Sequence, residues 1–431
     1  MSNPIIIIHG WSDTSESFIG LKASLEARTQ RPTQELFLAD WISLDDSVSI
    51  SDVAEAMDRA WTEHKLPRTR RSVDIVVHST GALVVREWVR RQGFTSRTNP
   101  IYRFGMLAPA NFGSPLAHKG RSLVGRVAKG WNSWFETGTL VLKALEMASP
   151  YSWGLAEADL LQKGQSPWGI GGMLTTVLVG DTGYRGLRAL VNEDGSDGTV
   201  YVSTARLPCD KVTLDYRNPK NPKMTLQKSK AEVAFGVMSG LTHASVCTDD
   251  VAMTWLEKAL NVTDKTFATY ATELATTQAA ADGRYQNTVI RLRDDHGADI
   301  KDYLIEFTLD SDKDGKSFVS FQKQVLASVH TYSDNAAYRS LMINCDKFDS
   351  WIKDAQSEMH VSLTAHPVFI LSADGKTANR RVGYRTLTEK DIGEIHIPLS
   401  ALHSVVSAHR TLLVDIIIRR EQGPDVFMIK S

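Results

Sequence analysis

The fold is decided by one continuous stretch, Asp74-Ile75-Val76-Val77-His78-Ser79-Thr80-Gly81-Ala82-Leu83-Val84-Val85-Arg86-Glu87-Trp88. Its first part is apolar and β-branched, which is typical of a buried strand. After Gly81 the apolar residues change to helical spacing. The sequence therefore predicts a strand, a sharp turn that carries Ser79, and a helix.

This turn has the features of a nucleophile elbow, which lifts a serine above the edge of a sheet. Because the serine must adopt strained dihedral angles, small residues are favoured two positions before and after it. Gly81 meets this requirement, whereas Val77 stands where glycine or alanine is usual. The alternative interpretation is an ordinary strand–helix junction at which Ser-Thr-Gly caps the helix.

The strands and helices around this stretch alternate along the chain. Strands are predicted at Ile5–Ile8, Leu36–Ala39 and Tyr102–Ala108, and helices at Ser17–Arg28 and from Asp52 onward. Ile5–Ile8 is continuously apolar, as expected for a strand that is buried on both faces. Strict alternation of this kind predicts a mostly parallel sheet with helices on both faces.

Length and composition limit the remaining possibilities. A chain of 431 residues is longer than one hydrophobic core usually accommodates, so two domains are expected. The net charge of −1 gives no reason to expect a nucleic-acid partner. The 3 cysteines are widely spaced and odd in number, which argues against a disulfide framework.

The first residues lack the marks of a secretory signal. Met1-Ser2-Asn3-Pro4 carries no basic region, and the apolar run that follows ends at His9-Gly10. No later segment reaches the roughly 18 apolar residues that a membrane span needs. We therefore expect a cytoplasmic protein as synthesised, with export by a specialised secretion system as the alternative.

Three segments resemble bacterial lipases and esterases of the α/β-hydrolase superfamily, in the same order and at similar separations. They are Asn3-Pro4 with the isoleucine strand and His9-Gly10, the elbow Val77–Gly81, and Leu107-Ala108-Pro109-Ala110-Asn111-Phe112-Gly113-Ser114-Pro115. The resemblance covers roughly the first 115 residues and returns in two later islands. It implies an α/β-hydrolase fold and a carboxylic ester hydrolase with a serine, an acid and a histidine in that order.

The later islands supply the candidate acid and base. Asp197-Gly198-Thr199-Val200 resembles the segment that holds the acid in many lipases, which makes Asp197 the first choice. Asp194 and Asp181 are alternatives, since acidic residues in glycine-rich loops often only form turns. His243 lies in a loop before a helix, where it would take the proton from Ser79 and return it to the leaving alcohol.

The resemblance also implies an oxyanion hole, in which backbone N–H groups stabilise the negative charge on the reacting oxygen. The expected donors are the N–H groups of Trp11 and Thr80. Residues 116–165 would form a helical cap, in which Leu123, Val127, Trp131 and Trp134 fall at helical spacing. This cap is either a lid that meets a lipid surface or a pair of core helices.

The pattern of predicted secondary structure changes near residue 286, after which strands predominate. Residues 1–260 are expected to form the catalytic domain and 261–285 a linker or bridging helix. A β-sandwich over 286–431 is predicted from period-two strands. These strands are Val289–Arg293, Tyr303–Leu309, Ser317–Phe321, Val361–Thr364, Val382–Arg385, Glu394–Leu399 and Leu412–Ile418. The residues of this domain do not indicate its role. A protein partner and a membrane are both candidates for what it binds.

No cofactor is expected. Asp310–Gly315 begins like a calcium-binding EF-hand loop, but Phe321 stands where that loop needs glutamate, and a strand precedes it instead of a helix. A polar hairpin turn is therefore favoured over a calcium site.

The leading hypothesis is a serine carboxylic ester hydrolase that forms an acyl-enzyme on Ser79, with a lipid or phospholipid as substrate. One alternative keeps the same triad but transfers the acyl group to another acceptor, or cleaves a thioester. Another alternative is a non-catalytic interaction protein with a vestigial elbow, which the departure at Val77 supports.

Overall fold

The computed structural model describes residues 2–8, 16–43, 45–117, 138–185, 189, 192–310, 321–354, 358–365 and 387–419. The chain divides into two compact units. The first contains residues 1–209, 228–285 and 409–411, and the second contains 210–227, 286–408 and 412–431.

Strands and helices are numbered in chain order. The strands are β1 (Ile5–Ile8), β2 (Thr33–Leu36), β3 (Val73–His78), β4 (Ile101–Leu107), β5 (Leu174–Gly180), β6 (Cys209–Tyr216), β7 (Lys223–Gln227), β8 (Val233–Met238), β9 (Tyr285–Asp294), β10 (Tyr303–Leu309), β11 (Leu326–Thr331), β12 (Tyr338–Asn344), β13 (Glu358–Ala365), β14 (Ile395–Pro398) and β15 (Arg410–Ile418). The helices are α1 (Glu16–Thr29), α2 (Ile50–Glu63), α3 (Gly81–Arg91), α4 (Thr139–Leu145), α5 (Pro150–Asp159), α6 (Val202–Ala205), α7 (Asp250–Ala259), α8 (Phe267–Ala275), α9 (Cys345–Trp351), α10 (Glu389–Ile392) and α11 (Leu399–Val405).

The first unit is built on a parallel sheet with the strand order β2-β1-β3-β4-β5-β8. The residues of β1, β3 and β5 are all buried, and β1 is continuously apolar, as expected for a strand covered on both faces. The main helix contacts fall into two groups, one of α2, α3, α4 and α5 and the other of α1, α7 and α8. Because the strands run parallel, their carboxyl ends meet at one edge, where the loops after β3, β4, β5 and β8 come together.

Part of the predicted cap is described. Helix α4 packs on α2, and α5 packs on α3, so these two helices belong to the packed body of the unit. In α5, Trp153, Leu155 and Ala156 are buried. Trp131 and Trp134, on which the prediction of a lipid-facing lid depends, lie outside the described residues.

The second unit is a β-sandwich, as predicted. One sheet has the order β10-β13-β14, with antiparallel pairing, and the other has the order β11-β12-β9-β15-β6-β7. Buried side chains from both sheets form one core, among them Leu214, Ile290, Leu363, Ile397 and Ile416. Strands β11 and β12 were not predicted, while the predicted strand Val382–Arg385 and most of Asp310–Gly315 lie outside the described residues.

The boundaries of the units differ from the expected ones in two places. The hairpin β6–β7 belongs to the second unit, although residues 1–260 were expected to form one domain. Residues 261–285 belong to the first unit, where α8 packs on β8 and Leu274 is fully buried. Neither placement follows from local patterns, because both depend on which distant strand the segment contacts. Within the part of the chain that the structure describes, no helix has the length and apolar character needed to cross a membrane.

Candidate functional site

Ser79 lies on the turn between β3 and α3 in the left-handed backbone region, with φ of 52°. Residues other than glycine rarely adopt this backbone conformation, and residues held in it cluster at functional sites. The turn is fixed on both sides, because the Ser79 N–H donates to the Leu107 carbonyl at 3.0 Å and its carbonyl accepts from Ala82 N–H at 3.3 Å. The strained conformation is therefore imposed by β4 and by the start of α3.

The structure explains how the elbow accommodates Val77. A Cβ atom added to Gly81 would lie 3.2 Å from the Val77 Cβ and 3.2 Å from the Ile8 carbonyl oxygen. Such contacts are tighter than nearly all real ones, so the absence of a side chain at Gly81 leaves the room that Val77 occupies. The departure from the usual motif is compatible with the strained turn.

Asp197 and His243 form a buried hydrogen-bonded pair. The Nδ1 atom of His243 lies 2.8 Å from Oδ2 of Asp197, and both side chains are fully buried. Oδ1 of Asp197 accepts from the N–H groups of Thr199 at 2.9 Å and Val200 at 2.8 Å. The His243 N–H also donates to the Asp197 carbonyl at 2.9 Å. The carboxylate is thus held in place and in turn orients the imidazole.

The other two candidate acids are placed differently. Asp194 is exposed. Asp181 is buried and accepts from the N–H groups of Gly240 at 2.8 Å and Asp282 at 3.0 Å, which ties three loops together. Of the three, Asp197 is the one whose hydrogen bond to His243 the structure records.

His78 connects the serine turn to the histidine loop. Its Nε2 lies 3.0 Å from the His243 carbonyl oxygen, and the centroids of the two rings are 4.6 Å apart. A carbonyl oxygen only accepts, so Nε2 of His78 carries the proton. Because His78 immediately precedes Ser79, this contact brings the His243 loop to the elbow. No pattern in the sequence indicates this role for His78, because the contact joins residues 165 positions apart.

Gly180 allows the histidine loop to cross the end of β5. A Cβ atom at this position would lie 2.1 Å from the Leu241 carbonyl oxygen, which is a backbone atom and cannot move aside easily. Only glycine permits so close an approach of two main chains. The end of β5 at Gly180 therefore helps to position His243.

The loop after β4 supports the acid. Ser114 Oγ donates to the Thr199 carbonyl, Phe112 N–H donates to Thr204 at 3.0 Å, and Asn111 Nδ2 donates to Ala205 at 2.7 Å. These residues belong to segment 107–115, which is one of the three that resemble bacterial lipases. In the structure its contacts hold the region that follows Asp197.

Behind the elbow, helix α3 carries a buried charge. Arg86 donates to both carboxylate oxygens of Asp159 in α5, at 2.9 and 3.1 Å, and both side chains are buried. Burial raises the pKa of Asp159, and the adjacent guanidinium opposes that rise. Arg86 also donates to Asn111, so it joins α3, α5 and the loop after β4.

Of the two residues expected to donate to the oxyanion, the structure describes Thr80. Thr80 occupies the N-cap position of α3, where the helix end carries partial positive charge that favours an anion. Trp11 lies outside the described residues.

No protein-family profile and no curated protein matches the chain. Among solved structures, it is similar to phospholipase PlaB from Legionella pneumophila, with 23% identity and a TM-score of 0.81 over 100% of this chain and 96% of that chain. The same Legionella protein in complex with thio-NAD gives 24% identity and a TM-score of 0.80 over the same shares. The mature lipase BlEst2 from Bacillus licheniformis gives 14% identity and a TM-score of 0.40 over 61% of this chain and 93% of that chain. The likeness to the Legionella structures confirms the predicted fold, an α/β-hydrolase unit with an additional β-rich unit.

Proposed function

We propose that this protein is a serine carboxylic ester hydrolase that acts on lipid esters through an acyl-enzyme on Ser79. The observation that carries the proposal is the buried Asp197–His243 pair, which His78 joins to the strained Ser79 turn. A nucleophile, a base within reach and an acid that orients the base are the parts that acyl transfer requires.

Each residue has a defined role in the proposed reaction. Asp197 accepts from Nδ1 of His243 and thereby directs Nε2 to act as the base. His243 takes the proton from the Ser79 hydroxyl as its oxygen attacks the ester carbon, and then donates this proton to the departing alcohol. A water molecule, activated by His243 in the same way, then attacks the acyl-enzyme and releases the acid. The reaction needs no metal or cofactor.

The negative oxygen that forms at each attack needs hydrogen-bond donors. We assign this role to the N–H groups of Thr80 and Trp11. For Thr80 the support is its position at the start of α3, directly after the nucleophile. For Trp11 the support is the resemblance of the His9-Gly10-Trp11 segment alone.

We propose a phospholipid or another lipid ester as substrate. Asp197 and His243 are fully buried and Ser79 is 9% exposed, so the reacting groups are largely shielded from water, which favours an apolar acyl chain over a charged one. The structural neighbours that align over the whole chain are described as phospholipases, which supports this choice of substrate. Contact of the cap or of the second unit with a membrane remains part of the proposal.

The test combines a covalent probe with product analysis. Purified full-length protein is treated with a fluorophosphonate probe and, separately, with phospholipid vesicles whose products are identified by mass spectrometry. We expect labelling and fatty-acid release by the wild type, loss of both in Ser79→Ala, and no change in Ser47→Ala, which removes an exposed hydroxyl. Absence of labelling in the wild type would refute the proposal that Ser79 is a catalytic nucleophile. Labelling with acyl transfer to an added alcohol, but no free fatty acid, would favour the transferase alternative.

A further inference from the structure

The second unit carries a cluster of two histidines and two glutamates on its three-stranded sheet. Glu358 and His360 are in β13, His396 is in β14, and Glu394 directly precedes β14. The antiparallel register places His360 opposite His396, with ring centroids 4.3 Å apart. Residues at alternate positions share a face, while Met359 between Glu358 and His360 points into the sandwich core. The cluster therefore lies on the face of the sheet that does not form the core.

Three of these residues present their donor atoms to one another. Oε1 of Glu358 lies 2.7 Å from Nδ1 of His396 and 3.3 Å from Nε2 of His360. The ligand atoms of the three residues all fall within 4.8 Å of one another. Ligand atoms bound at about 2.0–2.1 Å to one tetrahedral ion are about 3.3–3.5 Å apart. A small rearrangement, in which the 2.7 Å pair widens and the more distant ligand atoms approach, would therefore suffice.

Glu394 contacts the other nitrogen of each ring. Its Oε2 lies 3.3 Å from Nδ1 of His360 and 3.4 Å from Nε2 of His396. In metal sites, a carboxylate that accepts from the remote N–H of a coordinating histidine fixes the tautomer and the orientation of the ring. Glu394 is placed to do this for both imidazoles.

We propose that Glu358, His360 and His396 bind one divalent transition-metal ion of the Zn²⁺ type, with Glu394 as the positioning residue. Two carboxylates and two neutral imidazoles carry a net charge of −2, which a divalent cation offsets. Two nitrogen donors favour Zn²⁺ over Ca²⁺ or Mg²⁺, which take oxygen ligands. His396 is 46% exposed, so an ion can reach the site and keep a water molecule as a fourth ligand.

The bound ion would join two neighbouring strands of the second unit. Among the described residues, strand β14 has one neighbour in the sheet order β10-β13-β14 and pairs with it over few positions. Ligands from β13 and β14 on the same ion would fasten this edge. Binding to the folded state alone would raise the thermal midpoint of the second unit as metal is added.

The cluster has a competing explanation, in which protonated histidines pair with the two glutamates and no metal is involved. A measurement of metal binding distinguishes this explanation from the proposed metal site. Full-length protein is stripped with a chelator, desalted and titrated with Zn²⁺ against a chromophoric competitor, and Co²⁺ is added separately to record its visible spectrum. We expect one Zn²⁺ per chain and a Co²⁺ spectrum with nitrogen and oxygen ligands.

Variants locate the site. His396→Ala should abolish tight binding, and Glu394→Gln should weaken it by about 10- to 100-fold, since it disturbs ring orientation only. His403→Ala, which removes an exposed histidine of the same unit, should bind like the wild type. If circular dichroism shows that His396→Ala does not fold, Glu358→Gln is used in its place, because glutamine has nearly the same shape as glutamate. Glu358→Gln should then lose tight Zn²⁺ binding. A wild type that binds no Zn²⁺ at micromolar concentrations, or a His396→Ala variant that binds equally well, would overturn the proposal.

Discussion

Nε2 of His78 donates to the carbonyl oxygen of His243 at 3.0 Å, across 165 positions of sequence. The residue before the proposed nucleophile thus holds the backbone of the proposed base. The two imidazoles also pack together, with centroids 4.6 Å apart. The distance between Ser79 and His243 therefore depends on a side chain that takes no part in the proton transfer itself.

Removing the His78 hydrogen bond should slow the reaction without weakening substrate binding. In His78→Phe the ring packing is retained but the donor is lost, and we expect kcat to fall by about 10- to 100-fold with little change in KM, because small misplacements of reacting groups are costly. His78→Gln can still donate and should recover part of the rate. His64→Phe, at an exposed histidine, is the control. Full activity in His78→Phe would show that the contact is unimportant.

The three candidate acids should separate by substitution with asparagine. Asp197→Asn disrupts the bond that fixes the His243 tautomer, and a loss in kcat of about 10⁴-fold is expected from the behaviour of serine triads. Asp194→Asn should have no effect, because the residue is exposed. Asp181→Asn should lower the thermal midpoint more than the rate, since Asp181 joins loops. Ester hydrolysis and thermal unfolding are measured on all three, and an inactive Asp194→Asn with an active Asp197→Asn would reverse the assignment.

Val77 and Gly81 should be energetically coupled. Gly81→Ala adds a Cβ atom 3.2 Å from that of Val77, and we expect it to lower the free energy of unfolding by about 1–3 kcal/mol through overpacking. Val77→Gly, which removes the Cβ atom that Gly81→Ala would approach, costs stability alone because it leaves a cavity. The double variant should be more stable than the sum of the single effects by about 0.5 kcal/mol or more. Simple additivity in urea unfolding would mean that the two side chains do not compete for space.

The Arg71–Asp264 pair should give acid-sensitive stability. Arg71 hydrogen-bonds the carboxylate and lowers the pKa of Asp264 to about 2 from the usual 3.8. A carboxyl with a depressed pKa stabilises the fold above pH 3.8, and this contribution is lost as the pH falls toward 2. Because Asp264 is 38% exposed, we expect only about 0.5–1 kcal/mol.

The measurement for this pair compares wild type with Asp264→Asn in thermal unfolding at several pH values. The wild type should be more stable near neutral pH, and the gap should close as the solution is acidified below pH 3.8. Asp194→Asn serves as the exposed control. A gap that stays constant with pH would show that the charge of Asp264 is not involved.

Local signals predicted β1, β3 and β4 of the first unit and the residues proposed for catalysis. The strand expected at Leu36–Ala39 was misplaced, because β2 spans Thr33–Leu36, and β8 was not predicted. Ser79 was found from the change of periodicity at Gly81, and Asp197 and His243 from short segments that resemble known ones. That the last two touch could not be derived from the residues themselves, because 46 positions separate them. Arg86 was missed as a buried ion, since its partner Asp159 lies 73 residues away and a charged residue on a helix is usually solvated.

The second unit shows a different limit of sequence analysis. The alternation of Val212, Leu214 and Tyr216 marks β6 as a half-buried strand, but nothing in it says which sheet it joins. That choice is made by β15, which lies between β9 and β6 in the sheet. The pairing is therefore a property of residues almost two hundred positions apart.

This strand order has a consequence during translation. The hairpin β6–β7 leaves the ribosome well before its inner neighbour β15, which lies far downstream in the sequence. Until then the nascent chain carries a strand edge with open backbone donors and acceptors, which is a known route to aggregation. A premature stop before residue 410 would make that state permanent, so β15 completes a sheet whose other strands were synthesised before it.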